Sequence, residues 1–462
     1  TTMIGKGRRN VELGLILLVV LVTGGAYVLA ALGRTSTVPA NIGPFLLVVL
    51  ALLVVAHLAT RALARGADPI LLPMVAVLNG IGYVMIARID PDLAALQATW
   101  TMVGVGAFIA TMMVVRRVDD LARYKWTFAL IGLGLLVLPF VPGIGQTING
   151  SRLWVSIGPI NFQPGEFAKI VLALFFAAYL VERRELLAMA TWRVGPLWLP
   201  EPRHLGPVLM AWGLSLMIMV GQKDLGSSLL FFALFVVMVW VATERASYLV
   251  LSLGLFAAGA YAAWSLFDHV QERVAIWLDP WSSAQNEGYQ LVQATYALAW
   301  GGITGTGLGL GDPNRIPEVQ NDFIIAAIGE ELGLLGATAV LAAFLLLIGG
   351  GYRIAIRTDR PFEKLLAAGL TTILGVQAFI IIGGVTRVVP LTGVTLPFVS
   401  YGGSSLVANY ILLGILLRIS DSTARRSGEL GEKKLRRRAR RAAAAAALTD
   451  GSGDTQTLGI TQ

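Results

Sequence analysis

Asp322 is the residue of this chain best placed to do chemistry. It is a carboxylate at the boundary where a polar, aromatic-studded stretch, Asp268–Gln320, runs into an apolar span. A carboxylate held there can take a proton or orient a hydroxyl, as a general base does; capping the helix would be its purely structural use. Glu166 and Lys169 open another span, in Phe162-Gln163-Pro164-Gly165-Glu166-Phe167-Ala168-Lys169. Their i,i+3 spacing sets both on one helix face, where a structural ion pair would already account for them. Charges placed where lipid should be are nevertheless functional candidates by default. Asp224, in Gln222-Lys223-Asp224-Leu225-Gly226-Ser227-Ser228, lies in a turn too short for an ordinary loop and suits a helix N-cap. The run Gly301-Gly302-Ile303-Thr304-Gly305-Thr306-Gly307-Leu308-Gly309 has the composition of a phosphate-cradling loop but not the Lys-Ser/Thr ending of a nucleotide site. Pro390–Ser405, rich in proline and glycine, predicts irregular backbone near the membrane, tolerated only when buried in protein or lining a watery cavity.

The elements that must position these groups are apolar helices. Of 462 residues, 56% are hydrophobic and 14% charged, against about 25% charged in soluble domains, so this is an integral membrane protein. A span needs roughly 20 apolar residues. Twelve candidates follow, near 12–32, 42–60, 70–87, 97–115, 126–142, 165–181, 206–221, 226–242, 247–267, 322–350, 365–386 and 403–419. The first has no small-residue cleavage site after it and reads as a retained helix. On an ideal helix continuing from Asp322, Ala326, Gly329 and Gly333 share its face, and the small-x3-small spacing predicts close helix contact, while Glu330 and Glu331 serve another contact.

Basic residues alternate between loops. One set, from Lys6, Arg8 and Arg9 through Arg61, Arg65, Arg116, Arg123, Arg183, Arg203 and Arg245 to Arg353–Lys364, holds 18 Lys/Arg; the other, with Arg34, Arg88, Arg152, Lys223, Arg273, Arg315 and Arg387, holds 7. The positive-inside rule puts the first set and both termini in the cytoplasm and the loop 268–321 outside. The tail 420–462 carries the basic run Lys433–Arg441 and an alanine run, and reads as a disordered cytoplasmic tail able to attract anionic lipid at about 1 kcal/mol per basic residue. The net charge of +8 is therefore a topology signal and not a nucleic-acid footprint. Without cysteine, and with His57, His204 and His269 scattered, thiol chemistry, disulfides and a histidine-cluster metal site are set aside.

Pro390–Ser405, Asp322-Phe323-Ile324-Ile325 through Gly329-Glu330-Glu331-Leu332-Gly333, Phe162–Lys169 and Asn149-Gly150-Ser151-Arg152-Leu153-Trp154 together closely resemble the SEDS family of shape, elongation, division and sporulation proteins, which includes RodA, FtsW and SpoVE. Trp277-Leu278-Asp279-Pro280 and Gly288-Tyr289-Gln290 resemble its long external loop. The resemblance covers about residues 67–419 and implies an all-α polytopic fold, with a ten-helix core preceded here by two extra helices over 1–66. Such an addition resembles the actinobacterial RodA-like members, and sets the expectation of RodA over FtsW.

The resemblance implies a peptidoglycan glycosyltransferase that polymerises lipid II into a nascent glycan strand at the outer face of a bacterial plasma membrane. It would work beside a class B penicillin-binding protein within the elongation or division machinery. Asp322 matches the family's essential external-loop aspartate, and Trp154, Glu166, Lys169 and Asp224 match its cavity lining. Gln163, Ser400 and Ser404 lie within the matched motifs and join the cavity-lining candidates. Two positions depart: Gly165 stands where the family often has Ser, and Lys223 where it often has Pro.

Joining a sugar 4-hydroxyl to an anomeric carbon that carries polyprenyl diphosphate, with inversion, needs a base and positive charge on the leaving group. Asp322 is the expected base. Lys169, Arg152 and Lys223, and more weakly Arg387, are the expected diphosphate holders. A divalent cation, Mg or Mn, could share that work through carboxylates, although no ligand spacing demands one. A flippase for the lipid-linked precursor, or a scaffold that recruits the penicillin-binding protein through Trp281, Tyr289 and Trp300, are the competing readings.

Overall fold

The computed structural model describes residues 2–37, 42–148, 150–158, 160–188, 192–194, 197–199 and 206–450. Asn149 of the matched motif, Arg203 of the basic loops and the tail end 451–462 lie outside the described residues.

Two N-terminal helices, α1 (Thr2–Thr35) and α2 (Ile42–Leu63), precede α3 (Leu71–Ile89), α4 (Pro91–Val114) and α5 (Lys125–Val137). A three-stranded antiparallel sheet, β1 (Gly145–Ile148), β2 (Ser151–Ile157) and β3 (Ile160–Phe162), leads into α6 (Pro164–Ala188). The small hairpin β4 (Trp192–Val194) and β5 (Leu197–Leu199) separates α6 from α7 (Gly206–Gln222), followed by α8 (Leu225–Thr243) and α9 (Ala246–Leu266). The polar stretch then supplies α10 (Asp268–Leu278) and α11 (Tyr289–Gly301), and the chain closes with α12 (Ile324–Arg357), α13 (Pro361–Val385) and α14 (Gly403–Asp450).

Among the described residues eleven helices are long and apolar enough to cross a membrane. The remaining expected span is present as α7, 17 residues long. Helix α13 is apolar almost all round and is correspondingly buried, against α6, α8 and α12. Helices α5 and α9 leave most of their surface to lipid.

Local chemistry sets the helix starts. Asp90 caps α4 by accepting from the Asp92 N–H at 2.9 Å, with Pro91 in the first turn, and Pro361 opens α13. The end of α2 and the turn after it are tied to the core. Arg418 donates to the Leu63 carbonyl at 2.6 Å, and the Gly66 N–H donates to Asp421 at 2.7 Å.

Three features differ from the sequence reading. The sheet β1–β3 occupies what read as a plain inter-span loop; its signal was the alternation of Arg152, Leu153, Trp154 and Val155 between Gly150 and Gly158. The last helix runs on to Asp450, carrying the backbone of the basic run where a disordered tail was expected; alanine, arginine and lysine are strong helix formers. Finally, α12 begins after Asp322 and is broken at Gly333 (φ 67°, ψ −167°), so no continuous helix face runs from Asp322 through Gly333.

That break is built by the glycine-rich run. The Thr306 and Gly307 N–H groups donate to the Glu330 and Glu331 carbonyls at 2.9 and 3.0 Å, and Leu334 and Leu335 donate back to Gly302 and Ile303. The Gly329 carbonyl leaves no room for a Cβ at Gly301, and the Leu298 side chain leaves none at Gly329. The small residues do permit close contact, with α11 and its loop. Glu330 and Glu331 indeed serve other contacts. Glu331 pairs with Arg88 at 2.9 Å and accepts the Gly309 N–H, while Glu330 accepts the Asp312 N–H.

Candidate active site

Asp322 stands in the turn ahead of α12. The residue at the cap position is Phe323, with no side-chain cap bond, so the Asp322 carboxylate is not used to start the helix. Its neighbours are clamped to the irregular stretch between α13 and α14. Ser400 Oγ donates to the Asn321 carbonyl at 2.5 Å and accepts the Leu396 N–H at 2.9 Å, while the Tyr401 N–H donates to the Gln320 carbonyl at 2.8 Å. Gly393, at φ +76°, brings this stretch against the carboxylate: Asp322 Oδ2 lies 3.6 Å from where a Cβ would stand. Burial raises the Asp322 carboxyl to about 7; the Arg273 guanidinium pulls it down, and the Asp224 and Glu318 carboxylates push it up.

Asp224 is the N-cap of α8, accepting the Ser227 N–H at 3.0 Å. It is buried, and burial raises its carboxyl above the ordinary range despite that bond and the Arg273 charge. Gly226, in the first turn of α8, packs on Thr392 and Val394 with no space for a side chain. The stretch 391–395 therefore touches both carboxylates' surroundings. Arg273, from α10, donates to the Leu391 carbonyl at 2.8 Å, which holds its guanidinium in the field of both aspartates.

Lys223 is exposed and has left-handed backbone (φ +54°), turning the chain between α7 and α8. Burial, with the Lys223 and Arg273 charges, holds His269 below its usual range. Asp322, Asp224, Arg273, Lys223 and His269 thus form one cluster, with two carboxylates among two cations and an imidazole. Among the described residues no three His, Asp or Glu side chains gather as a metal cage.

Glu166 and Lys169 lie deeper. Lys169 Nζ, 1% exposed, donates to Glu166 at 2.5 Å and to Gln377 Oε1 at 2.8 Å; Gln377 donates to the Thr395 carbonyl at 2.9 Å. Thr395 donates to Ser405, and Ser404 accepts the Gln163 backbone N–H at 3.0 Å. The pair is thereby wired to the stretch that positions Asp322, with its ammonium already partnered.

The other expected anion holders are engaged. Arg152 on β2 donates through Nε to the Pro139 carbonyl at 2.9 Å, with Trp154 two residues along the same strand. Ser151, at the start of that strand, reaches the Lys223 carbonyl at 3.4 Å. Arg387 clamps the end of α10, donating to the Trp277 and Leu278 carbonyls at 3.2 and 3.0 Å. The glycine-rich run, spanned by its bonds to α12, is a structural brace and not a free phosphate cradle.

Sequence reasoning missed Arg273 and His269 as site residues. The available signal was their i,i+4 spacing in Asp268-His269-Val270-Gln271-Glu272-Arg273, which places them on one helix face directly after a span.

The chain matches the FtsW/RodA/SpoVE family, cell cycle proteins, over residues 69–425. It is 46% identical over 429 residues to the peptidoglycan glycosyltransferase RodA of Mycobacterium tuberculosis, covering 90% of this chain and 92% of that protein. A probable peptidoglycan glycosyltransferase FtsW of Geobacter metallireducens is 36% identical over 288 residues, covering 62% of this chain and 74% of that protein. Among solved structures, a chain from a peptidoglycan synthase complex that coordinates polymerization and crosslinking superposes with a TM-score of 0.64 at 28% identity, covering 77% of this chain and 98% of that one.

Proposed function

The chain belongs to the FtsW/RodA/SpoVE family of cell cycle proteins, and from that premise we infer that it is a peptidoglycan glycosyltransferase with the RodA role. The RodA assignment rests on the 90% coverage shared with RodA, where the FtsW likeness stops at 62%.

The observation that carries the mechanism is Asp322: a free, partly buried carboxylate with its carboxyl near 7, beside Arg273. A base works best with its pKa near the working pH. In our reading, the 4-hydroxyl oxygen of the acceptor sugar of one lipid II or glycan strand attacks the anomeric carbon of the other. Asp322 takes the hydroxyl proton as the new C–O bond forms. The bond to the polyprenyl diphosphate breaks, and the leaving group departs with the electron pair. Arg273 and Lys223 meet the diphosphate charge, Arg273 in a fork held by the Leu391 carbonyl. Trp154, Arg152, Gln163, Glu166, Lys169, Ser400 and Ser404 shape the wall around the reacting groups. Asp224 keeps α8 in place and lends its carboxylate to the same field. A divalent cation, Mg or Mn, would find Asp224 and Asp322 as its protein oxygens and fill its remaining positions from the diphosphate and water.

This cleft faces the outside of a bacterial plasma membrane by the basic-loop asymmetry. The likeness to a synthase-complex chain supports a class B penicillin-binding protein as the cross-linking partner. The test is lipid II polymerisation by the purified protein in vesicles, with and without that partner, for wild type and Asp322→Asn. Glycan strands from wild type alone support both enzyme and base. Strands from both keep the enzyme and discard the base. Labelled lipid crossing the bilayer without polymer points to the flippase, and neither activity with intact protein points to the scaffold.

A further inference from the structure

Between the two N-terminal helices and the core lies a cavity of about 280 Å3, whose lining includes none of the site's carboxylates. It is lined by Thr23 of α1, Val49 and Leu52 of α2, Asn79 of α3, Val105 of α4 and Tyr410 of α14. Its walls are mostly aliphatic. Val48, 41% exposed, stands at the rim on α2, so the cavity opens sideways toward lipid and not toward water. Its floor is polar. Asn79, 8% exposed, donates to Thr101 at 3.3 Å and to the Tyr410 hydroxyl at 3.2 Å, and its Oδ1 has no partner. A buried carbonyl oxygen left so marks a floor that the helices do not pack shut.

One lining residue, Tyr410, connects the cavity to the candidate site. Tyr410 lies about two turns into α14, hence about 10 Å below the membrane face on which Asp322 sits. Its ring packs edge-on against Phe398 at 5.5 Å, and Gly82 of α3 lies against the Val399 backbone too closely for any side chain. The next residue, Ser400, holds the Asn321 carbonyl beside Asp322. A chain lying in the cavity therefore meets Tyr410, whose ring packs on the stretch that positions the base.

We propose that this cavity is a binding site for the polyprenyl chain of the lipid-linked substrate, walled on its lipid side by α1 and α2. The proposal rests on the glycosyltransferase reading for the identity of its ligand. A slot of this size, open to bilayer, takes a hydrocarbon chain. Its position against Tyr410, one side chain away from the segment 398–400 that braces Asp322, selects the chain attached to the reacting sugar over a bulk phospholipid. The two N-terminal helices thereby gain a task in substrate handling.

The test uses full-length protein in phospholipid vesicles with a long-chain polyprenyl phosphate carrying a photoreactive group near its middle. Expected are cross-links on α2 or α3 around Val49 and Asn79, competed by unlabelled polyprenyl phosphate and not by added phospholipid. Val49→Trp, which fills the cavity from its outer wall, should abolish them. It should also raise KM about tenfold for long-chain lipid II, the equivalent of about two buried methylenes, and leave KM for a short-chain analogue and thermal stability unchanged. Cross-links that phospholipid competes equally, or a Val49→Trp protein that is labelled like wild type, overturn the site. If prenyl cross-links map here while wild type makes no polymer with its partner present, the site stands and the glycosyltransferase reading fails.

Discussion

The Asp322 carboxylate rests against the backbone of Gly393, with Oδ2 3.6 Å from the point at which a side chain at 393 would begin. The contact joins the end of the long polar stretch to the irregular segment before α14, and it sets how dry the carboxylate is. Gly393→Ala should act twice. At φ +76° an alanine costs about 1–2 kcal/mol, read as a lower unfolding temperature in detergent. Its methyl would also shield the carboxylate, moving the acid limb of polymerisation to higher pH. A variant with an unchanged limb would show that Gly393 serves the backbone only.

The pH profile follows from the Asp322 carboxyl lying near 7. As a base it must be ionised, so kcat/KM should level off above about pH 7 and fall about tenfold per unit below it. Arg273 pulls that carboxyl down. Arg273→Gln should therefore shift the limb upward and raise KM for the lipid-linked donor. A limb that stays in place would separate the arginine from the carboxylate.

Stability should move the other way. A carboxyl raised in the folded state binds a proton that the unfolded chain, titrating near 4, has already lost. Folding is thus favoured at low pH through this group, and its contribution declines as pH rises from about 4 through about 7. Asn carries no such charge. Asp322→Asn should gain thermal stability over wild type between pH 5 and pH 8 while losing polymerisation, measured by unfolding in detergent across that range. An equal difference at both pH values would mean the carboxyl is not perturbed.

The span pattern was legible because burial in lipid demands long apolar runs, and Asp322, Asp224, Glu166 and Lys169 were legible because charge is rare there. What each charge does was not. Asp224 turned out to cap α8, whereas Asp322, with the same two readings open, caps nothing. Arg152 and Arg387 looked available and are held by main-chain carbonyls, and Arg273 looked like one more loop cation. The partners of Arg273 and Arg387 come from residues over a hundred positions away, which no local spacing encodes.

Lys223 separates charge from backbone. Its left-handed conformation excludes proline, whose φ is fixed near −65°, so the residue common in the family at this position does not fit this turn. Lys223→Pro should lower the unfolding temperature and displace the Asp224 cap. Lys223→Gly keeps the turn and relieves about 1 kcal/mol of strain, so it should be slightly more stable than wild type while its KM for lipid II rises severalfold at low salt. If Lys223→Gly polymerises with unchanged KM, the lysine charge has no part in holding diphosphate.

The Glu166–Lys169 pair has a cavity role to be distinguished from a structural one. Lys169 is 1% exposed, and removing it alone strands a buried carboxylate. Lys169→Met should therefore cost about 3–5 kcal/mol. The double variant Glu166→Gln, Lys169→Met removes both charges and should recover most of that loss, as a double-mutant cycle of thermal unfolding would show. Polymerisation decides the rest. Through Gln377 the pair holds the Thr395 carbonyl, in the stretch against which Asp322 rests. A stable double variant should consequently still lose activity, because Gln377 no longer has its charged partner and the Asp322 surroundings loosen. A stable and fully active double variant would reduce the pair to scaffolding between α6 and α13.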